Sequence, residues 1–172
     1  MDAIALLKRD HAEVKEMFEQ VEALSERATA TRGKLFQKID AALELHTQIE
    51  EQVFYPAFKE RAEDSEEREK ILEAFEEHHV AKAVIAELKE LDPSDETFAP
   101  KLNVLMEAVR HHIKEEEGQL FKMARELFDR DELTELGERL EAAKNEGGGS
   151  RPAPRSRSRS GEVEAPARTA GR

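Results

Sequence analysis

The sequence predicts an all-α fold, an up-down-up-down four-helix bundle with a short C-terminal fifth helix and a disordered tail. Apolar residues recur at steps of three and four along most of the chain, and no alternating strand pattern is present. Short segments rich in turn-forming residues separate the helical stretches, so successive helices pack most simply as antiparallel neighbours. The chain also repeats itself. A shift of 67 residues lays His11 on His78, Lys15 on Lys82, Phe18 on Ile85 and Val21 on Leu88, and a shift of 66 lays His46 on His112, Glu50 on Glu116 and Tyr55 on Phe121. Two helical hairpins related by a pseudo-twofold axis follow.

The spacing predicts a first helix over residues 2–27, with Ile4, Leu7, His11, Val14, Phe18 and Val21 on one stripe. Residues 29–33 are expected to break it. A second helix over 34–62 points Ile39, Leu43, His46, Glu50 and Val53 inward, and Pro56 is expected to bend it or open it locally. Ser65 can cap a third helix that reaches Leu91. In the following DPSDETFAP segment Thr97 can cap a fourth helix, which places Pro100 in the first turn, where a missing N–H is harmless. That helix runs to Phe128 with Leu102, Leu105, Val109, His112 and Glu116 in register. Asp131 can cap the fifth helix, bearing Leu133, Leu136 and Leu140, which is expected to lie across one end of the bundle.

The 172 residues suffice for one domain with a sizeable core, expected over 1–146, followed by a Gly/Pro/Ser/Arg-rich tail over 147–172. That tail is nearly devoid of large apolar residues and is expected to be disordered. Its six Arg and two Glu give a local charge of +4, so the −12 net charge of the whole leaves −16 for residues 1–146. An acidic body argues against nucleic-acid binding by the folded domain. No apolar run is long enough for a membrane span and no signal-peptide pattern opens the chain, so the expected location is the cytoplasm. With no Cys, a transition metal would have to be held by nitrogen and oxygen.

Six residues stand at core positions where side chains of that polarity are costly: His11, His46, Glu50, His78, His112 and Glu116. Each pair His46/Glu50 and His112/Glu116 is four residues apart and projects from one helix face. Unpaired carboxylates in an apolar core cost several kcal/mol each, a large share of the roughly 5–15 kcal/mol by which a domain is stable. No Lys or Arg shares these inner stripes. Bound dications would supply the missing charge, and six N/O donors suit two neighbouring ions bridged by the carboxylates, iron first and manganese second. His79 and His111 compete with their neighbours for the inward position; His78 and His112 continue the apolar stripes better. Tyr55, five residues beyond Glu50, should point away from it in a regular helix and wall the site, although a kink at Pro56 leaves phenolate ligation open. Phe18, Phe54, Phe75 and Phe121 are spaced to surround the site.

The order H…HxxxE…H…HxxxE, strongest in HTQIEEQVFYP and HHIKEEEGQLF, resembles the hemerythrin-like HHE cation-binding domain over about residues 3–141. The resemblance implies a four-helix bundle with two non-haem Fe ions on His11, His46, Glu50, His78, His112 and Glu116, and the binding of dioxygen, nitric oxide or peroxide. It leaves open a peroxide-decomposing enzyme of catalase or peroxidase type, and a metal-stabilised scaffold whose tail contacts a partner. The chain departs from the invertebrate oxygen carriers in carrying Lys82 where their third helix has a second His. That implies an extra open position on one iron.

Overall fold

The computed structural model describes residues 1–148. Among them the secondary structure is helical throughout and no strand occurs. Helix α1 spans Ala3–Glu22 and is opened by Asp2, whose carboxylate accepts the Ala5 N–H at 2.8 Å. Helix α2 spans Thr29–Ile49. The segment expected to break the helix is therefore the first turn of α2, and α1 stops earlier, at Glu22. The buried Arg32 guanidinium ties down the connection by donating to the Ser25 and Glu26 carbonyls. Gly33 is a packing residue here: a Cβ on it would lie 2.5 Å from Pro93 Cγ, so only glycine lets the segment around Pro93 close over α2.

A π-helical turn, Glu50–Phe54, follows α2 directly and leads into α3, Tyr55–Arg61. This is the local opening expected at Pro56, which cannot donate to a helical carbonyl. Helix α4 covers Ser65–Lys89; its cap is Asp64, accepting the Glu67 N–H at 2.9 Å, while Ser65 is the first helical residue. Helix α5, Phe98–Glu115, has Pro100 in its first turn as expected, but the Thr97 hydroxyl bonds to Asp95 and leaves the helix end uncapped by a side chain. A second π turn, Glu116–Leu120, leads into α6, Phe121–Leu127. No proline marks it.

Helix α7, Arg130–Gly148, is opened by Asp129, two residues earlier than expected. The Asp129 carboxylate accepts the Asp131 and Glu132 N–H groups, and Glu132 accepts the Asp129 N–H in return. At 19 residues α7 is as long as the bundle helices, and it lies lengthwise against α1, α2 and the first π turn rather than across an end. Leu133, Leu136 and Leu140 there join Leu6, Ile49 and Val53 in one buried cluster. The repeat explains the placement. At the equivalent positions of the second hairpin stand Glu73, Glu115 and Gln119, so only the first hairpin offers an apolar groove for a fifth helix. Gly147 and Gly148, expected to open the tail, are the last residues of α7, and the rest of the expected tail lies outside the described residues.

The core forms two apolar clusters. One gathers the first turns of α1 with Phe54, Tyr55, Phe58, Phe121 and the leucines of α7. The other gathers Val14, Phe18, Leu43, Ile85, Leu105 and Val109 at the far half of the bundle. The polar residues singled out in the sequence lie where the two clusters meet.

Candidate metal centre

Helices α1, α2, α4 and α5 each turn one imidazole inward, and all four rings are buried. His11 Nε2 lies 3.2 Å from His46 Nε2, and His78 Nε2 lies 3.2 Å from His112 Nε2. The two carboxylates stand between these pairs. Glu50 Oε1 is 3.2 Å from His46 Nε2 and Glu50 Oε2 is 3.2 Å from His78 Nε2. Glu116 Oε2 is 3.2 Å from His11 Nε2 and 3.8 Å from His112 Nε2. Two donor groups result, each with its ligand atoms within 4.8 Å of one another: His11, His46, Glu50 and Glu116, and then Glu50, His78 and His112. Glu50 belongs to both. All six sequence-predicted residues thus converge, while His79 and His111 are exposed.

Both carboxylates are 0% exposed, and Glu50 Oε1 and Glu116 Oε2 have no hydrogen-bond partner. Orphaned charged oxygens at this depth are among the most costly arrangements a core can contain. In the protein without a cation, burial and then the neighbouring Glu116 charge push the Glu50 carboxyl up to about 8. Burial also opposes ionisation of Glu116, but the adjoining imidazoles of His11, His112 and His46 outweigh it and hold Glu116 at about 2. The two acids behave as a pair that keeps one proton between them. A dication placed among these atoms replaces that proton and satisfies both oxygens, so the donor set fits metal ions.

The outer nitrogens explain why the inner ones are free. His11 Nδ1 is 2.9 Å from Glu117 Oε1, His78 Nδ1 is 3.0 Å from Glu51 Oε1, and His112 Nδ1 is 2.7 Å from Glu77 Oε2. A carboxylate at Nδ1 holds the ring proton there, which leaves the Nε2 lone pair facing the centre and makes it more basic. Lys15 and Lys82 in turn approach Glu117 and Glu51, at 3.4 Å and 2.6 Å. Lys82 is therefore an outer residue that steadies Glu51. His46 differs: its Nδ1 is 3.8 Å from Asp10 Oδ2, and neither atom has a hydrogen-bond partner, while Lys144 of α7 takes the other Asp10 oxygen at 2.6 Å.

Sequence reasoning missed these four carboxylates, yet the repeat contained them. Asp10 and Glu77 each precede the first His of a hairpin, and Glu51 and Glu117 each follow its Glu. For Tyr55 the regular-helix expectation does not hold, and the opening at Pro56 does. On an α-helix of 3.6 residues per turn, residues five apart point about 140° from each other. The π turn bonds the Tyr55 N–H to the Glu50 carbonyl, so Tyr55 takes the position over Glu50 that the residue four along would otherwise have. Its hydroxyl donates to Glu116 Oε1 at 3.0 Å and lies 3.4 Å from both Glu50 Oε2 and His78 Nε2. Burial, and then the charges of Glu116 and Glu50, hold its proton well above the usual phenol range. The second π turn does the same for Phe121, which stacks on His11 with ring centres 5.8 Å apart.

Among known proteins, the family profile of the hemerythrin HHE cation binding domain matches residues 2–124. A DNA nickase of Nostoc sp. is 22% identical over 140 residues, which cover 81% of this chain and 38% of the nickase. An uncharacterized hemerythrin-like protein of Schizosaccharomyces pombe is 25% identical over 136 residues, covering 79% of this chain and 66% of that protein. The chain thus spans less than two thirds of the length of either relative. The crystal structure of a hemerythrin HHE cation binding domain-containing protein from Mycobacterium kansasii shares the fold, with a TM-score of 0.75 at 24% identity over 87% of this chain and 89% of that one. With the profile spanning most of the bundle and the buried His/Glu set lying inside it, this chain belongs to the hemerythrin HHE cation-binding family.

Proposed function

We propose that the protein holds two non-haem iron ions and binds dioxygen, nitric oxide or peroxide there, in the cytoplasm. One observation carries the reading: two fully buried carboxylates with unpartnered oxygens stand between two pairs of imidazoles whose Nε2 atoms face inward. His11, His46, Glu50 and Glu116 would hold one ion, and His78, His112 and Glu50 the other. Glu116 lies within reach of the second group, and the Tyr55 hydroxyl is a further oxygen beside it. Iron would supply an electron-rich Lewis acid at which a small oxygen or nitrogen species can be bound and reduced.

The chain's own residues set the conditions for that chemistry. Glu50 and Glu116 neutralise charge between the imidazole pairs, and the carboxylates at Nδ1 keep the rings in one tautomer. Phe54 and Phe121 exclude water on one side. Tyr55 holds a proton 3.0 Å from Glu116, where it can stabilise negative charge arriving at the centre. Manganese is the second choice of metal, since the donor set is the same hard N/O mixture.

Metal analysis and an optical spectrum of wild type, Glu50→Ala and Glu116→Ala test the reading. Wild type reconstituted with ferrous iron is expected to hold two ions per chain and to develop charge-transfer absorption in air. Glu50→Ala should lose most of both ions, because its carboxylate is common to both groups, and Glu116→Ala should lose chiefly the His11/His46 ion. Equal iron content in all three proteins would contradict the assignment.

A further inference from the structure

A cavity of about 390 Å³ opens onto the four histidines of the centre. All four histidines line its inner end, whereas Glu50, Glu116 and Tyr55 do not line it. Most of its wall surface is apolar, with Val14, Leu43, Ala81, Ile85, Val109 and Ile113 contributing, while Glu44, Thr47, Gln48 and Gln52 also line it. An apolar cavity of about 150 Å³ already accommodates benzene. A diatomic gas or hydrogen peroxide would therefore fill only a small fraction of this one. The volume falls within the range of roughly 300–1,000 Å³ typical of sites for organic ligands.

The cavity reaches the surface between α2 and α4, whose backbones approach each other closely at few points at most. Two ion pairs span that gap: Lys82 with Glu51 at 2.6 Å and Lys89 with Asp40 at 2.9 Å. Both lysines are about half exposed, so these pairs are weak and able to part. On the α4 side the lining between them is the buried Ile85 and the exposed Ala86, whose methyl group is too small to close the passage.

We infer that this cavity seats an apolar organic molecule carrying one small oxygen head group, an alkyl or aryl hydroperoxide or the corresponding alcohol. The head would face the histidines and the hydrocarbon would lie against the aliphatic walls, with Lys82–Glu51 and Lys89–Asp40 framing the portal. The inference rests on the metal centre proposed above and narrows the peroxide class that would reach it.

The probe is 2-phenyl-2-propanol, an unreactive alcohol of that shape, titrated into metal-loaded protein by calorimetry, with metal content measured on the same samples. Saturable one-to-one binding is expected. Ala81→Phe, which fills the cavity beside His78, should weaken binding by about tenfold or more while leaving metal content and melting temperature unchanged. Ala86→Trp, at an exposed mouth position, should slow association and provides a second test should Ala81→Phe fail to fold. Loaded wild type that shows no saturable binding, or a folded, loaded variant that binds and associates like wild type, overturns the inference. A sample that binds the alcohol but takes up no metal would instead contradict the iron reading.

Discussion

At the scale of single residues, the centre is a matter of which atom of each side chain is left without a partner. Glu77, Glu51 and Glu117 occupy the Nδ1 atoms of three histidines, so the Nε2 atoms have only the centre to face. Removing such an outer carboxylate typically costs about 10–100-fold in metal affinity. Glu77→Gln is expected to do so, because an amide can still hydrogen-bond but can hold either tautomer. Competition with a chelator measures it, and unchanged affinity would contradict the role.

The acid pair sets a pH signature of the metal-free protein. Glu50 is raised from 4.5 to about 8, so its contribution to stability is complete below its unfolded value and is lost as pH rises through about 8. Glu116, lowered from 4.5 to about 2, contributes fully above 4.5 and loses that contribution only as pH falls toward 2. His78, lowered by burial, and His112, which burial lowers but Glu77 raises on balance, move in opposite directions. The melting temperature of chelator-treated protein should therefore fall from about pH 5 to about pH 8. A rise across that window would show that Glu50 is ionised without metal.

The six ligand candidates were legible in the sequence because each is the wrong chemical type for its apolar stripe and each recurs in the second hairpin. The outer carboxylates were not, since in a chain with 38% charged residues a Glu beside a His is the ordinary composition of a helix surface. Only the coincidence of Asp10 with Glu77 and of Glu51 with Glu117 under the repeat distinguishes them.

At the scale of elements, two π turns decide what enters the centre. Each adds one residue to a helical turn and so rotates everything beyond it by about 100° relative to a continuous α-helix. That rotation brings Tyr55 and Phe121 to bear on the centre. Pro56 hinted at the first, but nothing comparable stands in the second, where Gly118 is exposed and a Cβ would meet no neighbour. Side-chain periodicity counted at 3.6 residues per turn cannot reveal a change of backbone phase, which is why the approach of Tyr55 to Glu50 could be left open only through a kink at Pro56. Deleting Gln52, an exposed residue within the first π turn, should return the segment to α-helical phase. The Tyr55 hydroxyl would then leave Glu116, and metal content and melting temperature should both drop. A deletion variant indistinguishable from wild type would show that the turn is incidental.

At the scale of the molecule, the pseudo-twofold repeat builds a symmetric donor set and then departs from symmetry around it. The first hairpin carries Leu6, Ile49 and Val53 and is covered by α7, while the second presents Glu73, Glu115 and Gln119 to solvent. The bundle and helix order followed from apolar periodicity. The lengthwise docking of α7 did not, because it depends on which of two similar grooves is apolar, a comparison between hairpins rather than within a helix. No helix among the described residues is long and apolar enough to cross a membrane.

The central claim is that cations compensate the buried charge of Glu50 and Glu116. The most direct measurement is the thermal unfolding of the same preparation before and after chelator treatment, with ions per chain counted in each. The account predicts about two ions in the loaded protein and a melting temperature that falls clearly on their removal and recovers when ferrous iron is restored. Identical melting with and without metal would contradict it.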